Sequence, residues 1–195
     1  MFELQLRKVS VAFDFSFFAS VSLLVLLGNS YAVLGLAACL WHELGHLAAM
    51  KICGIPAKRV LFYGAGIKII PDKELCFTDF PAEFFVLIAG SSANFLLAAV
   101  SGFSCSFEMK LFSVINALIG VFNLLPLQYL DGGKLLLAVI RRMCSFSTAC
   151  QLERFLKWAN VFLILSVMIA FAFAGRGNFT LYITLCYLLV SAVSC

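Results

Sequence analysis

This chain predicts an all-α polytopic membrane protein of about six transmembrane helices, with one short membrane-associated β-hairpin. Two observations carry that reading. Of its 195 residues, 63 % are apolar and only 12 % charged, with a mean hydropathy of +1.04. Soluble domains sit near about 45–50 % apolar and about 25 % charged. The apolar residues, 21 Phe among them, also fall into runs of membrane-spanning length rather than short amphipathic stretches.

The first span reads from about Val11 to Leu27, with Asp14 near its start. The second covers about Tyr31 to Cys53, the third about Phe84 to Phe103 and the fourth about Leu111 to Leu127. The fifth and sixth run from about Trp158 to Ala174 and from about Phe179 to Val193. Leu135–Ile140 is apolar but too short to cross, and reads as continuing or capping the broken end of the fourth span. Further spans follow the first run and no small-residue cleavage site stands out, so that run does not read as a cleaved signal. The expectation is a single integral domain over 1–195, with no separate soluble regulatory domain.

Charge sets the orientation. With the N-terminus in the cytoplasm, Arg7, Lys8, Lys51, Lys58, Arg59, Lys68, Lys73, Lys134, Arg141, Arg142, Arg154 and Lys157 fall on the cytoplasmic side. Only Lys110 and Arg176 then face outward. Both termini are expected to be cytoplasmic, in a multi-pass protein of a bacterial cell membrane. Topology accounts for the formal charge of +4, and no nucleic-acid partner is inferred from it.

Within the second span lies His42-Glu43-Leu44-Gly45-His46, which holds both histidines of the chain. Four helical positions turn through about 400° at ~3.6 residues per turn, so the two imidazoles share one side. Such a pair can grip one zinc ion, with Glu43 close enough to accept a proton from metal-bound water. The run Val33–Trp41 enters the motif without a charge, and ionisable groups in such a setting are expensive to bury without a purpose.

A catalytic zinc needs a third protein ligand. Seven of the ten acids lie in or beside predicted loops, leaving Asp14, Glu43 and Asp131 within or at the edge of apolar runs. Asp131 has the more informative setting. Pro126 disrupts helix geometry before it, and Gly132 and Gly133 loosen the backbone after it. Such a break can swing a carboxylate toward the histidine helix, and irregular backbone at membrane depth is tolerated where it lines a cavity.

Together, His42-Glu43-Leu44-Gly45-His46, Asn123-Leu124-Leu125-Pro126 and Asp131-Gly132-Gly133 resemble the site-2 protease family of intramembrane zinc metalloproteases. The short layout is most similar to the sporulation branch, whose members process a membrane-associated pro-sigma factor. The resemblance covers roughly Leu40 to Leu137. It implies that His42, His46 and Asp131 hold Zn2+, that Glu43 is the catalytic acid/base, and that Asn123 and Pro126 flank the site. It also implies a membrane-embedded or membrane-tethered protein substrate, and leaves room for an inhibitory membrane partner. Two departures stand out. Where the family often has Gly-Pro-x-x-Asn, this chain reads Gly90-Ser91-Ser92-Ala93-Asn94, with Ser91 in the proline position. The nucleotide-sensing domain of some sporulation-branch members is not expected here.

A helical substrate hides its carbonyls, so a protease in lipid must bind an extended segment. Val60–Ile70 reads as strand, glycine-rich turn at Gly64 and Gly66, and strand beginning at Ile67. This hairpin is expected to dip toward the active site and offer its edge to substrate.

Plainer readings compete with each assignment. The histidines can be bonded core residues, Asp131 can cap a helix starting at Gly132, and Asn94 and Asn123 can bond across helices. Eight scattered cysteines without a C-x-x-C are expected as free thiols. A zinc transporter would spread ligands along a path, and no further histidine is available for that. A silent membrane scaffold would have no need of Glu43.

Overall fold

The computed structural model describes residues 2–6, 9–15, 17–18, 22, 30–63, 66–71, 79–127, 130–173, 186 and 189. The chain forms two compact units, Met1–Leu124 and Leu125–Cys195.

In the first unit the order is β1 (Phe2–Leu6), β2 (Val9–Phe13), α1 (Ser30–Ile52), β3 (Ala57–Tyr63), β4 (Gly66–Pro71), α2 (Phe80–Gly102) and α3 (Phe107–Asn123). The predicted hairpin is present as β3 and β4, antiparallel with Phe62 opposite Ile67 and Tyr63 opposite Gly66. It is half of a four-stranded sheet in the order β1-β2-β3-β4. β2 and β3 pair in parallel, which requires a crossover, and α1 lies between them in sequence. The all-α expectation is therefore corrected to a mainly helical fold with a small sheet. Val11–Phe13, read as the start of the first span, is strand β2. Asp14 follows it in a turn, its Oδ1 accepting from the Phe15 N–H at 2.9 Å and its own N–H donating to the Phe62 carbonyl at 2.8 Å.

α1 carries the second expected span almost unchanged and ends for a local reason. Gly54 takes a φ of +67°. The Ile55 N–H reaches back to the Met50 carbonyl at 2.8 Å and the Gly54 N–H to Lys51 at 3.3 Å. These are the two bonds of a Schellman cap, with Ile55 and Met50 sharing the apolar contact expected of it. α2 runs unbroken through Ser91, the position where the family pattern has proline. Ser106 starts α3, its Oγ accepting from the Met109 N–H at 3.2 Å.

Polarity runs inside-out across these helices. The largest fully buried side chains are Asn94, Asn116, Ser91 and Ser101, while Phe84, Phe85, Phe95, Leu96 and Val100 on α2 face outward. Glu83, counted among the loop acids, is buried in the first turn of α2. In water this arrangement would be costly. In lipid, apolar surface has nothing to gain by hiding, and small or polar residues mediate helix contact. Ser113 on α3 donates to the Ala98 carbonyl at 2.6 Å, and Gly120 leaves room for the Phe95 ring, whose Cε1 a Cβ would meet at 2.8 Å.

The second unit holds α4 (Asp131–Met143) and α5 (Phe146–Phe173). Leu135–Ile140 does not extend the fourth span. It belongs to α4, a helix of its own with Arg141 and Arg142 in its last turn. The fifth span begins earlier than expected, because the Ser145 carbonyl accepts from the Ala149 N–H at 2.8 Å and opens α5 ahead of its apolar part.

Among the described residues three helices are long and apolar enough to cross a membrane: Val33–Ile52, Phe80–Gly102 and Ser147–Ala172. The fourth expected span, α3, has 17 residues, at the short end of the ~17–25 that cross a bilayer. The sixth, about Phe179 to Val193, lies outside the described residues apart from 186 and 189.

α1 and α2 are also tied by the Trp41 indole N–H, which donates to the Ala93 carbonyl at 3.0 Å. Trp41→Phe should destabilise the fold by about 0.6 kcal/mol, the usual worth of an interhelical bond in a membrane. Denaturant titration in mixed micelles measures this.

Candidate metal centre

The two histidines sit on α1 four residues apart, and α1 meets α2 closely at Gly45 and Gly90. A Cβ on Gly45 would meet the Ala89 carbonyl oxygen and the Ala93 Cβ at 2.8 Å each, and the Gly90 Cα at 3.0 Å. Only glycine fits there. Gly90 in turn lies against the imidazoles: a Cβ at that position would strike His46 Nε2, and would meet His46 Cε1 at 2.7 Å and His42 Cε1 at 2.8 Å.

His42 and His46 are 4 % and 8 % exposed, with rings 85° apart in plane. The Nδ1 of His46 is 2.8 Å from the Val86 carbonyl oxygen. A carbonyl only accepts, so the ring donates Nδ1–H there and the neutral imidazole keeps its Nε2 lone pair. Orienting a ligand histidine through its second nitrogen is the usual way such rings are held for a metal. The Nε2 atoms of the two rings converge to 3.1 Å. Two nitrogens at about 2.0–2.1 Å from a tetrahedral zinc stand roughly 3.4 Å apart, so this donor pair fits one edge of such a site. Glu43, the next residue, is half-buried on the same helix.

The other predicted residues are placed as follows. Asn94 is on α2, one turn beyond Gly90, and fully buried. Asn123 is the last residue of α3, its Nδ2 donating to the Ile119 carbonyl at 3.0 Å. Gly66 and Ile67 open β4, and Gly64 lies outside the described residues. In the second unit Asp131 is the first residue of α4, not its cap. Leu130 is the cap residue, and Lys134 Nζ pairs with Asp131 Oδ1 at 3.1 Å. The Pro126 carbonyl accepts from Asn160 Nδ2 at 3.4 Å.

Sequence reasoning missed Gly90, the Val86 carbonyl and Asn160. Gly90 was visible only as a motif position, and a backbone carbonyl leaves no mark in a sequence at all.

Residues 101–167 match the model for Peptidase family M50. Stage IV sporulation protein FB of Bacillus subtilis is 33 % identical over 121 residues, covering 57 % of this chain and 41 % of that protein. Putative zinc metalloprotease Rip3 of Mycobacterium tuberculosis is 30 % identical over 133 residues, covering 60 % of this chain and 32 % of that protein. Part of the chain is therefore similar to Peptidase family M50. In fold, the site-2 protease from Methanocaldococcus jannaschii superposes with a TM-score of 0.70 at 19 % identity, covering 99 % of this chain and 94 % of that one. The M50 match spans Asn123, Pro126 and Asp131, while the histidine pair lies ahead of it. This chain spans less than half the length of the curated relatives it matches.

Gly90→Ala should push the rings apart and lower the metal content of the purified protein by about tenfold or more, the range seen when ligand orientation is lost. Gly35→Ala, where a Cβ meets nothing within 4 Å, should leave it unchanged. Elemental analysis of both variants decides.

Proposed function

We propose that this protein is an intramembrane zinc endopeptidase that hydrolyses a peptide bond in a membrane-embedded or membrane-tethered protein. The observation that carries this is the convergence of two buried imidazole nitrogens to 3.1 Å, with one ring fixed through the Val86 carbonyl. The M50 match and the names of the curated relatives support the same chemistry.

In this reading His42 and His46 hold zinc and Asp131 is the third protein ligand. A buried carboxylate at the start of a helix, in the segment that matches M50, suits that role. Zinc when bound supplies Lewis-acid chemistry, making a water more acidic and a carbonyl more electrophilic. Glu43 takes the proton from the attacking water and delivers it to the leaving amine. Asn94 supports the histidine pair from within the helix bundle. Asn123 and Pro126 are site-supporting residues, as the resemblance implies.

The substrate binds in extended form against the β3–β4 hairpin, adding a strand at β4, the edge of the sheet beyond β3. Gly66 opens β4 opposite Tyr63, and Ile67 follows it in the receiving strand; Gly64, outside the described residues, belongs to the same glycine-rich stretch of sequence. Both termini lie in the cytoplasm of a bacterial cell, as the distribution of Lys and Arg indicates, and regulation by an inhibitory membrane partner is compatible with this layout.

Co-expression with a membrane-tethered substrate tests the mechanism. Glu43→Gln should keep zinc and lose about 10²–10⁴-fold in cleavage rate, the contribution of a general acid–base. His46→Ala and Asp131→Ala should lose zinc and cleavage together. An Asp131→Ala protein with full zinc content would remove that residue from the ligand set.

The hairpin has its own check. Ile67→Pro and Ile69→Pro remove backbone donors from β4, and should impair cleavage while zinc content stays at the wild-type level. Unchanged cleavage in both would discard strand addition.

A further inference from the structure

We propose that the apolar face of the β1–β2 ribbon contacts phospholipid acyl chains, so that the sheet lies along the lipid–water boundary of one leaflet. The sequence of β1, Phe2-Glu3-Leu4-Gln5-Leu6, alternates apolar and polar, and alternate residues of a strand point to opposite faces. The register extends each set. Phe2 is opposite Phe13 and Leu4 opposite Val11, while Glu3 is opposite Ala12 and Gln5 opposite Ser10. Across the parallel pairing, Val11 meets Val60 and Phe13 meets Phe62, whereas Ser10 meets Arg59. One face is thus wholly apolar. On the other, Arg59 pairs with Glu3 at 3.6 Å, reaching across β2.

The inner end of the apolar face is covered by protein. Val60 is buried, and Phe62 stacks on Phe13 at 4.7 Å with Phe17 packed edge-on at 5.4 Å. Its outer end is open among the described residues: Phe2 is 58 % and Leu4 46 % exposed, and Phe15 and Phe18 just beyond β2 are also exposed.

The rest of the unit indicates what covers it. α1 and α2 bury polar groups and turn apolar side chains outward, the pattern of surfaces solvated by lipid, and Phe2 and Leu4 of β1 show the same outward apolar exposure. The opposite face suits the headgroup region. An irregularity in the register of β3 between Ala57 and Arg59 sets Lys58 beside Glu3, Gln5 and Ser10. Lys58 and Arg59 thus place two cations on this side, where phosphate groups attract them. Glu3 and Gln5 remain exposed to water. This surface is separate from the histidine pair and holds however the zinc proposal fares.

The test uses the full chain in native membranes. A photoreactive benzoylphenylalanine replaces Leu4 or, separately, Gln5, and the crosslinked protein is analysed by mass spectrometry. The expected result is a phospholipid adduct several-fold more abundant at position 4 than at position 5. Positions 2 and 3 form a second pair that should show the same alternation, so that poor folding of one variant does not decide the outcome. Equal yields within both pairs, no lipid adduct at positions 2 and 4, or crosslinks there to a second copy or another protein would overturn the proposal.

Discussion

The contact on which the site depends is the crossing of α1 and α2 at two glycines. Gly45 lets the backbone of α2 come within contact distance of α1, and Gly90 gives the two imidazoles a flat surface to lie against. Helices in lipid associate through close packing and interhelical hydrogen bonds, because apolar burial gains little there. That requirement for close packing also brings the Val86 carbonyl within reach of His46. Packing and ligand orientation therefore have a common origin in this fold: the residues that let the helices meet also aim the nitrogen lone pairs.

A second consequence of the solvent is the distribution of polarity. Buried serine and asparagine side chains such as Ser101, Ser113 and Asn116 bond to carbonyls of their own helix or its neighbour. Inside a bilayer an unbonded polar group has no water to turn to, so such residues belong within the bundle. The histidines follow the same rule. They belong to a polar interior, and a metal is the partner that best suits two nitrogens held 3.1 Å apart.

The sheet shows where pattern reading meets its limit. An apolar run such as Val11–Phe13, continuing into more apolar residues, reads equally as the start of a spanning helix or as a buried strand. Pairing decides between them. β2 finds a parallel partner in β3, more than forty residues away and on the far side of α1, and no local feature of the run announces that partner. The β3–β4 hairpin was legible because its two strands are adjacent and joined by glycines.

By itself the sequence determined the membrane class, the histidine helix and the hairpin. Each follows from composition or from residues within a turn or two of one another, where helical periodicity and glycine's freedom act directly. The tertiary structure decided the rest: that α2 presses a glycine on both rings, that a backbone carbonyl orients one of them, that β1 and β2 complete a sheet, and that Leu135–Ile140 belongs to a helix of its own. These depend on which distant surfaces meet. Such meetings are set by shape complementarity and hydrogen-bond satisfaction across elements, which no window of local sequence contains.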